Sequence, residues 1–550
     1  MSDSEGFDCD YLIIGSGFGG SVSALRLAEK GYRVQVIERG KRWAPSDFPK
    51  TNWNVFGSMW LPLLHCVGIL NLSLLKDVLV LSGSGVGGGS LVYANTLLIP
   101  PEPFFRDPQW AGLSEDWQKE LSPYYRQAQR MLGAVANPVF GPADDVLREI
   151  AQDMGTAHTF KATDVGVFFG ENGKTVPDPY FGGKGPARTG CIQCGACMTG
   201  CKHGAKNTLD RNYLYLAERL GTTVTAEREV IAIHCIGGAE TRGSNGYEVE
   251  IRPSIGLARL FGKRQRLRAK HVVCAGGVMG TLPLLMDCKH KGSLAYLPDA
   301  LGNKLRTNSE AICGAMGASG GIDFSKGVAI TSGAFFDEHT HIEVVRYGEG
   351  NDALSLLATL LTDGGGKIPR GIRWLATVIG HPLQFLGTCW KFGWARRGVI
   401  LLVMQTLDNS LNARWKRQWW WPFSRGLTTE RPAGQPTNPT YIPIGNEVAR
   451  RVAKKIGGIP MSAVNEVLLD IPTTAHILGG CAIGAEGHGV VDAQHRVYGY
   501  QGLYVCDGSV MPANLGVNPS LTITALTEHA MAAIPSANGQ AVVPTDVVAA

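Results

Sequence analysis

The 550-residue sequence has little charge, and neither sign dominates. Asp, Glu, Lys and Arg make up 18% of the residues, and 52 basic against 47 acidic side chains give a formal net charge of +5. Apart from a local group near Arg414 to Arg425, basic residues are scattered, which disfavours a nucleic-acid partner. With 44% apolar residues, the chain predicts a large core, in two domains or one large interleaved enzyme.

The N-terminal segment lacks the features of a targeting signal. MSDSEGFDCDYLIIG is acidic, contains no twin arginine, and has no basic region followed by an apolar stretch. We therefore expect a cytoplasmic protein, in which most of the 13 cysteines are reduced thiols.

One stretch lacks charge altogether. From Thr51 to Leu75 the sequence contains no Asp, Glu, Lys or Arg, and its length would allow it to cross a bilayer. Pro62, His65 and two glycines interrupt it, and it follows a nucleotide-binding pattern directly. The segment is therefore predicted to be buried or lid-like rather than membrane-spanning.

Glycine, by contrast, is abundant, with 71 residues that follow no G-X-Y period. Residues 10–38 predict a β-α-β unit, in which Gly15, Gly17 and Gly20 form GxGxxG and Glu38 ends the second strand. The first glycine permits the turn, the second lets a pyrophosphate approach the backbone, and the third lets the helix pack on the strand. Glu38 would bind ribose hydroxyls. The pattern predicts a dinucleotide site for FAD or NAD.

Two further segments favour FAD. The segment from Ser82 to Asn95 would let a second length of backbone pass close to a flat cofactor, through the small residues Gly85, Gly87, Gly88, Gly89 and Ser90. Near the C-terminus, LYVCDGSVMPANLGVNPSLTITALTEHA predicts a strand, a loop and a helix, with Asn518 as N-cap and Pro519 as first helical residue. A helix N-terminus at the flavin would stabilise the negative charge that develops on reduction.

Four segments occur in a familiar order: GSGFGGSVSALRLAEKGYRVQVIERG, GSGVGGGSLVYAN, AHILGGC and DGSVMPANLGVNPSLTITALTEHA. Together they resemble the glucose–methanol–choline (GMC) oxidoreductase family, in its cholesterol oxidase-like branch with a cysteine-rich insert. The resemblance covers nearly the whole chain. It implies a noncovalent FAD in a Rossmann-type domain, and a substrate domain whose mixed β-sheet covers the flavin.

The predicted fold class is therefore α/β (α+β mixed), with a Rossmann-type FAD-binding domain assembled from discontinuous segments and a substrate domain with a mixed β-sheet. The expected boundaries are residues 1–100, 186–309 and 468–540 for the FAD-binding domain, 101–185 for substrate-domain or lid segments, 310–467 for the substrate-binding domain, and 541–550 for a tail.

The resemblance also implies which residues act. His476 in TAHILGGC matches the family's catalytic histidine, Asn518 in GVNPS its partner asparagine, and Glu343 in THIEVVRYGEG the glutamate that shifts a double bond in cholesterol oxidases. A histidine can accept the hydroxyl proton near neutral pH, and an apolar pocket would raise a carboxyl's pKa. An ion pair with Arg346 is the alternative for Glu343. The implied cofactor contacts are Gly15, Gly17, Gly20, Glu38, Gly85, Gly88, Gly89, Ser90, Asn95, Val230, Asp507, Gly508 and Pro519.

Four cysteines are clustered in CIQCGACMTGC. They follow the C-x2-C-x2-C-x3-C spacing of bacterial ferredoxins and are Cys191, Cys194, Cys197 and Cys201. Lys202 stands where a proline usually follows the fourth cysteine. An iron–sulfur cluster, a zinc ion and a packed loop of reduced thiols remain open. A cluster near the flavin would provide a one-electron exit and favour a dehydrogenase.

Tryptophans beside basic residues predict peripheral membrane contact, although they would also suit a substrate tunnel or a core. They are Trp390, Trp394, Trp415, Trp419, Trp420 and Trp421, near Lys391, Arg396, Arg397, Lys416 and Arg417.

These observations predict an enzyme that oxidises the hydroxyl of a large apolar alcohol with hydride transfer to flavin N5. The expected substrate is a 3β-hydroxysterol, and a shift of the double bond from Δ5 to Δ4 would follow. Electrons would pass to oxygen or to an unidentified carrier. The first alternative is an FAD-dependent dehydrogenase of long-chain or terpenoid alcohols. The second is a non-catalytic flavin and iron–sulfur electron-transfer protein.

Overall fold

The computed structural model describes residues 6–418, 421–434, 436 and 438–539. The predicted tail at 541–550 lies outside this range, as do Trp419 and Trp420. At the N-terminus, the strand Cys9–Ile14, the helix Phe18–Glu29 and the strand Val34–Ile37 form the predicted β-α-β unit. The two strands are parallel, and Ile13 is paired with Val36.

The first large sheet has seven strands that come from distant parts of the sequence. Cys9–Ile14 pairs in parallel with Val34–Ile37 on one side and with Gln265–Cys274 on the other. The long Gln265–Cys274 strand then continues the sheet in two directions, because its first half pairs antiparallel with one strand and its second half pairs parallel with Leu503–Val505. The strands are Thr223–Thr225, Val34–Ile37, Cys9–Ile14, Gln265–Cys274, Tyr247–Pro253 and Arg228–Cys235, with Leu503–Val505 beside Gln265–Cys274.

The second large sheet also has seven strands, all of them antiparallel. Its central strand Gly398–Gln405 is an almost continuous apolar run, GVILLVMQ, that is buried on both faces. In order, the strands are Ala358–Leu360, Ile459–Ala463, Ala311–Met316, Gly398–Gln405, Thr340–Val345, Ile330–Phe335 and Lys161–Ala162.

Fourteen α-helices in the described residues surround the sheets. Two of them, Trp117–Leu132 and Ser520–Ala532, pack together over the first sheet's core, and the buried Tyr125 hydroxyl donates to Thr522 at 2.9 Å. The others are Phe18–Glu29, Val55–Ser58, Glu102–Phe105, Pro142–Asp153, Tyr213–Arg219, Ala258–Phe261, Val278–Lys291, Arg370–Gly380, Pro382–Cys389, Trp394–Arg397, Pro443–Lys455 and Val464–Leu468.

Small strand pairs connect these layers. Two of them hold the segment around residue 476: Thr473–Thr474 pairs with Leu79–Gly83, and Leu478–Gly479 pairs with Leu305–Arg306. The remaining strands are Trp60–Leu61 with Cys66–Val67, Leu70–Leu74 with Leu79–Gly83, Ala134–Ala136 with Asp164–Gly166, Thr175–Val176 with Arg188–Thr189, and Asn412–Gln418 with Trp421–Glu430.

The uncharged stretch from Thr51 to Leu75 forms short elements rather than one helix. Within the described chain, no helix is both long enough and apolar enough to cross a membrane. The segment, predicted to be buried or lid-like, is buried only in part, because Phe56 and Leu64 are 66% and 67% exposed. The predicted fold class is confirmed: a Rossmann-type sheet built from discontinuous segments is combined with a second large sheet in a mixed α/β fold. The expected domain boundaries remain predictions.

Candidate active site

A cavity of about 940 Å³ lies between the two large sheets. One end is lined by the glycine turn after the first strand and by Glu38. The other end is lined by His476, Asn518 and apolar side chains of the second sheet. The volume is at the upper end of the range for ligand sites. The elongated cavity thus joins the predicted dinucleotide site to the predicted reaction site.

At the nucleotide end, the glycines adopt the geometry that the sequence predicts. Gly15 has φ of +100°, which favours glycine, and it turns the chain from strand to helix. A Cβ on Gly20 would lie 2.1 Å from the Gly15 carbonyl oxygen, so only glycine allows this contact of helix and strand. No described atom lies within 4 Å of a Cβ built on Gly17, which lines the cavity.

Glu38 lies at the carboxyl end of the strand Val34–Ile37 and is only 5% exposed. Its carboxylate accepts from the Ser16 hydroxyl at 2.7 Å and from the Gly40 amide at 2.8 Å. These bonds fix the carboxylate beside the glycine turn, at the position expected for a ribose contact.

The second glycine segment packs directly on the first. A Cβ on Gly88 would lie 2.5 Å from the Gly17 Cα atom, and both residues line the cavity together with Gly89. Four of the predicted cofactor residues are not among those that line the cavity in the described chain: Gly20, Gly85, Ser90 and Asn95. Ser90 is buried and bonds to the Gly87 carbonyl and the Leu209 amide, so it supports the segment from behind.

The C-terminal segment contributes Asp507, Gly508 and Pro519 to the lining, and Val230 lines it from the first sheet. Burial raises the pKa of Asp507. The helix begins at Ser520, with Pro519 at the N-cap, because the Ile523 amide donates to the Pro519 carbonyl at 2.9 Å. The prediction that Asn518 caps this helix was therefore wrong by one residue, and its side chain is directed elsewhere.

His476 lies between the two short strand pairs described above, and its side chain lines the cavity. Its Nδ1 atom contacts an oxygen of Glu310, a fully buried carboxylate that also accepts from the Ala475 amide at 2.9 Å. Burial lowers the pKa of His476, but the charge and hydrogen bond of Glu310 outweigh burial and the net shift is upward.

Asn518 and Glu343 form the other half of the reaction end. The Asn518 Nδ2 atom donates to Glu343 Oε2 at 3.2 Å, and the second oxygen of Glu343 has no hydrogen-bond partner in the described chain. Glu343 is fully buried, and burial raises its pKa to about 7. It lies behind Asn518 rather than among the lining residues. Gly333 is paired with Glu343 on the neighbouring strand. Its lack of a side chain leaves room for the Glu343 side chain, because a Cβ at Gly333 would lie 3.2 Å from Glu343 Cγ.

The alternative of an ion pair between Glu343 and Arg346 is wrong. The Arg346 guanidinium donates to Asp144 at 3.2 Å and to the Thr331 hydroxyl at 2.7 Å. The imidazole of His341 lies beside Glu343, with its Nδ1 atom 4.0 Å from Glu343 Oε1. Burial lowers the pKa of His341 to about 4, so it is neutral at pH 7.

Glu310 is the residue of this site that the sequence interpretation missed. It is 166 positions from His476 and belongs to no spacing pattern that would connect the two. The only local signal is an acidic residue directly before the apolar segment AICGAM, which forms the strand Ala311–Met316.

Apolar side chains surround His476 and Asn518. They come from five strands of the second sheet and from a buried tryptophan of the neighbouring helix: Ile312, Ile330, Val345, Ile400, Leu402, Met461 and Trp394. Water binds poorly to such a wall, so this end of the cavity suits the hydrocarbon part of a substrate.

The residues of the cavity fit FAD. The open Gly17 position leaves space for a pyrophosphate at the start of the helix Phe18–Glu29, and the cavity is long enough to continue from there to His476. Glu38 would hold the ribose, and Gly88 and Gly89 would lie against the ring system. Bound there, FAD would supply the hydride acceptor for oxidation of an alcohol.

The cysteine-rich segment does not have the geometry of a metal site. All 13 cysteines are free thiols, and no three His, Cys, Asp or Glu side chains in the described residues are grouped to hold a metal ion. Burial raises the pKa of Cys191 to about 12 and of Cys197 to about 11. The geometry of the described residues therefore gives no support to the iron–sulfur or zinc interpretation.

A buried lysine instead ties this segment to the cavity wall. Lys206 donates to the Cys197 carbonyl at 2.8 Å and to the Leu91 and Tyr93 carbonyls at 3.0 and 2.8 Å. Met198 and Thr199 line the cavity. The segment thus supports the second glycine segment.

The tryptophans of the predicted membrane contact have different environments. Trp390 is 62% exposed, whereas Trp394 is 7% exposed and belongs to the core. Trp415 is partly buried and lines the cavity. Trp419 and Trp420 lie outside the described residues, as does the side chain of Trp421. Only Trp390 of this set is shown to face solvent.

The comparisons with known proteins agree with this geometry. Residues 447–527 match the GMC oxidoreductase family, and residues 13–45 match the NAD(P)-binding Rossmann-like domain. The chain is 48% identical over 536 residues to a cholesterol oxidase of Acinetobacter baumannii, covering 96% of this chain and 95% of that protein. It is 49% identical over 547 residues to a cholesterol oxidase of Mycobacterium tuberculosis, covering 96% and 91%.

More distant relatives share the architecture. A long-chain-alcohol oxidase of Arabidopsis thaliana is 24% identical over 95% of this chain and 66% of its own length. The crystal structure of pyridoxine 4-oxidase from Mesorbium loti superposes with a TM-score of 0.59 at 15% identity, covering 96% of this chain and 99% of that one. The chain therefore belongs to the GMC oxidoreductase family, in its cholesterol oxidase-like branch, and is an FAD-dependent alcohol oxidoreductase.

Proposed function

We propose that the protein oxidises the 3β-hydroxyl group of a sterol to a ketone. The observation that carries the proposal is the pair His476 and Asn518, which line the apolar end of a cavity whose other end fits a dinucleotide. Relatives 48% and 49% identical over almost the whole chain are cholesterol oxidases, which supports a sterol as the alcohol.

In this mechanism the chain supplies binding, orientation and a proton acceptor. The hydroxyl oxygen would lie between the His476 ring and the Asn518 amide, whose Oδ1 has no partner among the described residues. His476 would take the hydroxyl proton as the C–H bond breaks, and its raised pKa favours the protonated product of that step. FAD would accept the hydride.

A second step, isomerisation of the double bond from Δ5 to Δ4, is part of the proposal. It requires a base that removes a proton from one carbon of the steroid and returns it to another. Glu343 has one unpartnered oxygen in the described structure and a pKa of about 7, so it would exchange a proton near neutral pH. Because Glu343 lies behind Asn518, the amide must move aside for the carboxylate to reach the steroid.

We infer that molecular oxygen is the electron acceptor, because the full-length relatives with 48% and 49% identity are oxidases. The proposal contains no iron–sulfur centre, since no group of His, Cys, Asp or Glu side chains in the described structure is arranged to hold a metal ion. A long-chain alcohol is the second candidate substrate, on the basis of the plant relative.

Peripheral contact of a cytoplasmic protein with a membrane is also proposed. Exposed apolar side chains form a surface that we call the apolar rim: Trp53, Phe56, Ile372, Leu375, Ile379, Leu383, Leu386, Trp390 and Phe392. The Trp53 and Phe392 rings are 5.9 Å apart, which joins its two segments, and the adjoining residues Asn52 and Leu354 line the cavity. Between Asp363 and Asp408 the sequence has six Lys and Arg but no acid, which suits an anionic lipid surface.

Anaerobic reduction of the bound flavin by a panel of alcohols tests the oxidation step. We expect cholesterol to bleach the flavin absorbance and a long-chain alcohol to do so more slowly. Bleaching by the fatty alcohol alone would replace the sterol proposal, and no bleaching by any alcohol would favour an electron-transfer flavoprotein. Admission of oxygen should then restore the colour and release hydrogen peroxide.

A further inference from the structure

Glu310 directs both of its carboxylate oxygens to one loop. One oxygen accepts from the Ala475 amide at 2.9 Å, and the other contacts Nδ1 of His476. Glu310 is fully buried, so water does not compete for these bonds. A buried carboxylate that is satisfied by the backbone and side chain of a single loop restrains the position of that loop.

The residues before Glu310 hold the same region from two sides. The Thr474 hydroxyl donates to the Thr307 carbonyl at 3.0 Å and accepts from the His476 amide at 2.9 Å. On the other side, the Asn308 side chain accepts from the Leu515 and Gly516 amides at 3.0 and 2.9 Å. It also donates to the Val517 carbonyl at 3.0 Å, directly before Asn518. Residues 307–310 therefore anchor both loops that reach the reaction end.

The backbone of this segment is strained. Asn308 and Ser309 have φ of +58° and +50°, a left-handed conformation that non-glycine residues rarely adopt. Such a conformation persists only where surrounding contacts determine it, and here those contacts are the bonds to the two loops.

We propose that Glu310 is a positioning residue that keeps the proton of neutral His476 on Nδ1 and so presents Nε2 to the substrate hydroxyl. The inference rests on the proposed oxidation of an alcohol. An ionised carboxylate only accepts hydrogen bonds, so the ring nitrogen that faces it must carry the proton. Nε2 then keeps its lone pair for the hydroxyl.

The proton balance is simple. The O–H bond of the alcohol breaks, an N–H bond forms on Nε2, and the imidazolium is stabilised by the carboxylate that already accepts from Nδ1. The step adds no proton to Glu310, and the hydride that would pass to the flavin leaves the carbon that bears the hydroxyl. Oxygen would take up the two electrons with the hydrogen delivered as hydride and the one proton that His476 returns, which gives hydrogen peroxide and restores the oxidised flavin.

The other acids near His476 do not take this role. Glu343 bonds to Asn518 instead, and Glu466 accepts from the Ile312 and Thr473 amides at 3.2 and 3.4 Å. Burial raises the pKa of Glu466 to about 8, so it is largely neutral at pH 7, and Arg370 partly opposes that shift.

The test compares Glu310→Gln with the matched control Glu466→Gln, both as flavin-loaded enzyme. The amide of the first variant can donate to Nδ1 and favour the other tautomer, and it carries no charge. We expect the rate constant of anaerobic flavin reduction to fall about 100-fold or more. The acid limb of its pH profile should also move to lower pH, because the imidazolium loses its neighbouring carboxylate. Glu466→Gln should keep the wild-type pH profile, since an amide resembles the protonated acid.

A second measurement does not depend on turnover. The ¹⁵N NMR shifts of labelled histidine, assigned with His476→Gln, report which ring nitrogen carries the proton. The wild type should show protonated Nδ1 and Glu310→Gln should not; unchanged tautomer and unchanged pH profile in an active variant would overturn the inference. If no alcohol reduces the wild-type flavin but the NMR result holds, the proposed function fails while the role of Glu310 stands.

Discussion

The two ends of the cavity are lined by different kinds of protein atoms. At the nucleotide end, the wall is largely backbone, with Gly15 close to Gly20 and Gly17 close to Gly88. One carboxylate there, Glu38, is held by its neighbours. At the reaction end, the wall consists of side chains from segments far apart in the sequence, and His476 contacts a carboxylate 166 positions away. The nucleotide end therefore depends on the absence of side chains at its glycines. The reaction end depends on which side chains the fold brings together.

This difference predicts how each end fails. A substitution at the nucleotide end obstructs the cofactor, whereas a substitution at the reaction end leaves the cofactor bound and removes a chemical step. Three substitutions distinguish the two ends, and a fourth change affects neither of them. They follow from the largest expected effect to the smallest.

His476→Gln should cause the largest loss, because it removes the proton acceptor and leaves the nucleotide end intact. We expect the rate constant of flavin reduction by a sterol to fall about 10²–10⁴-fold. Stopped-flow absorbance under anaerobic conditions measures this directly. The flavin-to-protein ratio should equal that of the wild type, and a colourless variant would show that the two ends are not independent.

Glu343→Gln tests the second chemical step at the same end. The 5-en-3-one should accumulate in place of the conjugated 4-en-3-one, while sterol oxidation continues. In the wild type, isomerisation should slow about tenfold per pH unit below pH 7, because the base must be ionised and its pKa is about 7. Product analysis by absorbance at the enone band provides the measurement, and a variant that still forms only the conjugated ketone would remove Glu343 from the mechanism.

Gly17→Ala tests the nucleotide end. The new methyl group meets no described protein atom within 4 Å but projects into the cavity, so the fold should persist while FAD binds about tenfold or more weakly. Equilibrium titration of the apoprotein with FAD measures the dissociation constant. Gly380→Ala is the control, because a Cβ there also has no described neighbour within 4 Å and the residue ends a helix outside the cavity lining.

The smallest effect should come from substitutions in the apolar rim, because they leave both ends of the cavity intact. Replacing Ile379 and Leu383, 71% and 82% exposed, by serine should weaken sedimentation with anionic vesicles about tenfold, because apolar area no longer enters the lipid. Activity on a detergent-dispersed sterol should not change. Leu220→Ser, at an exposed position directly after the helix Tyr213–Arg219, is the control, and equal losses in both proteins would contradict a specific membrane face.

The sequence predicted the nucleotide end well because its requirements are local. The turn at Gly15, the close contact of Gly20 and the carboxylate at Glu38 all follow from residues within one β-α-β unit. The resemblance to the GMC family then added His476 and Asn518, which the structure brings to one cavity. The cap was misplaced by one residue, since the pattern Asn-Pro does not determine which residue's carbonyl accepts the first helical bond.

What the sequence determined by itself is the mixed α/β fold, the dinucleotide turn and the family, because periodicity and glycine spacing are properties of neighbouring residues. Only the tertiary structure decided that Glu310 meets His476, that Arg346 pairs with Asp144 rather than Glu343, and that the clustered cysteines are not grouped as metal ligands in the described residues. Each of these depends on which distant segments the sheets bring together. Burial then determines the pKa values and charges of those groups, and no local pattern encodes it.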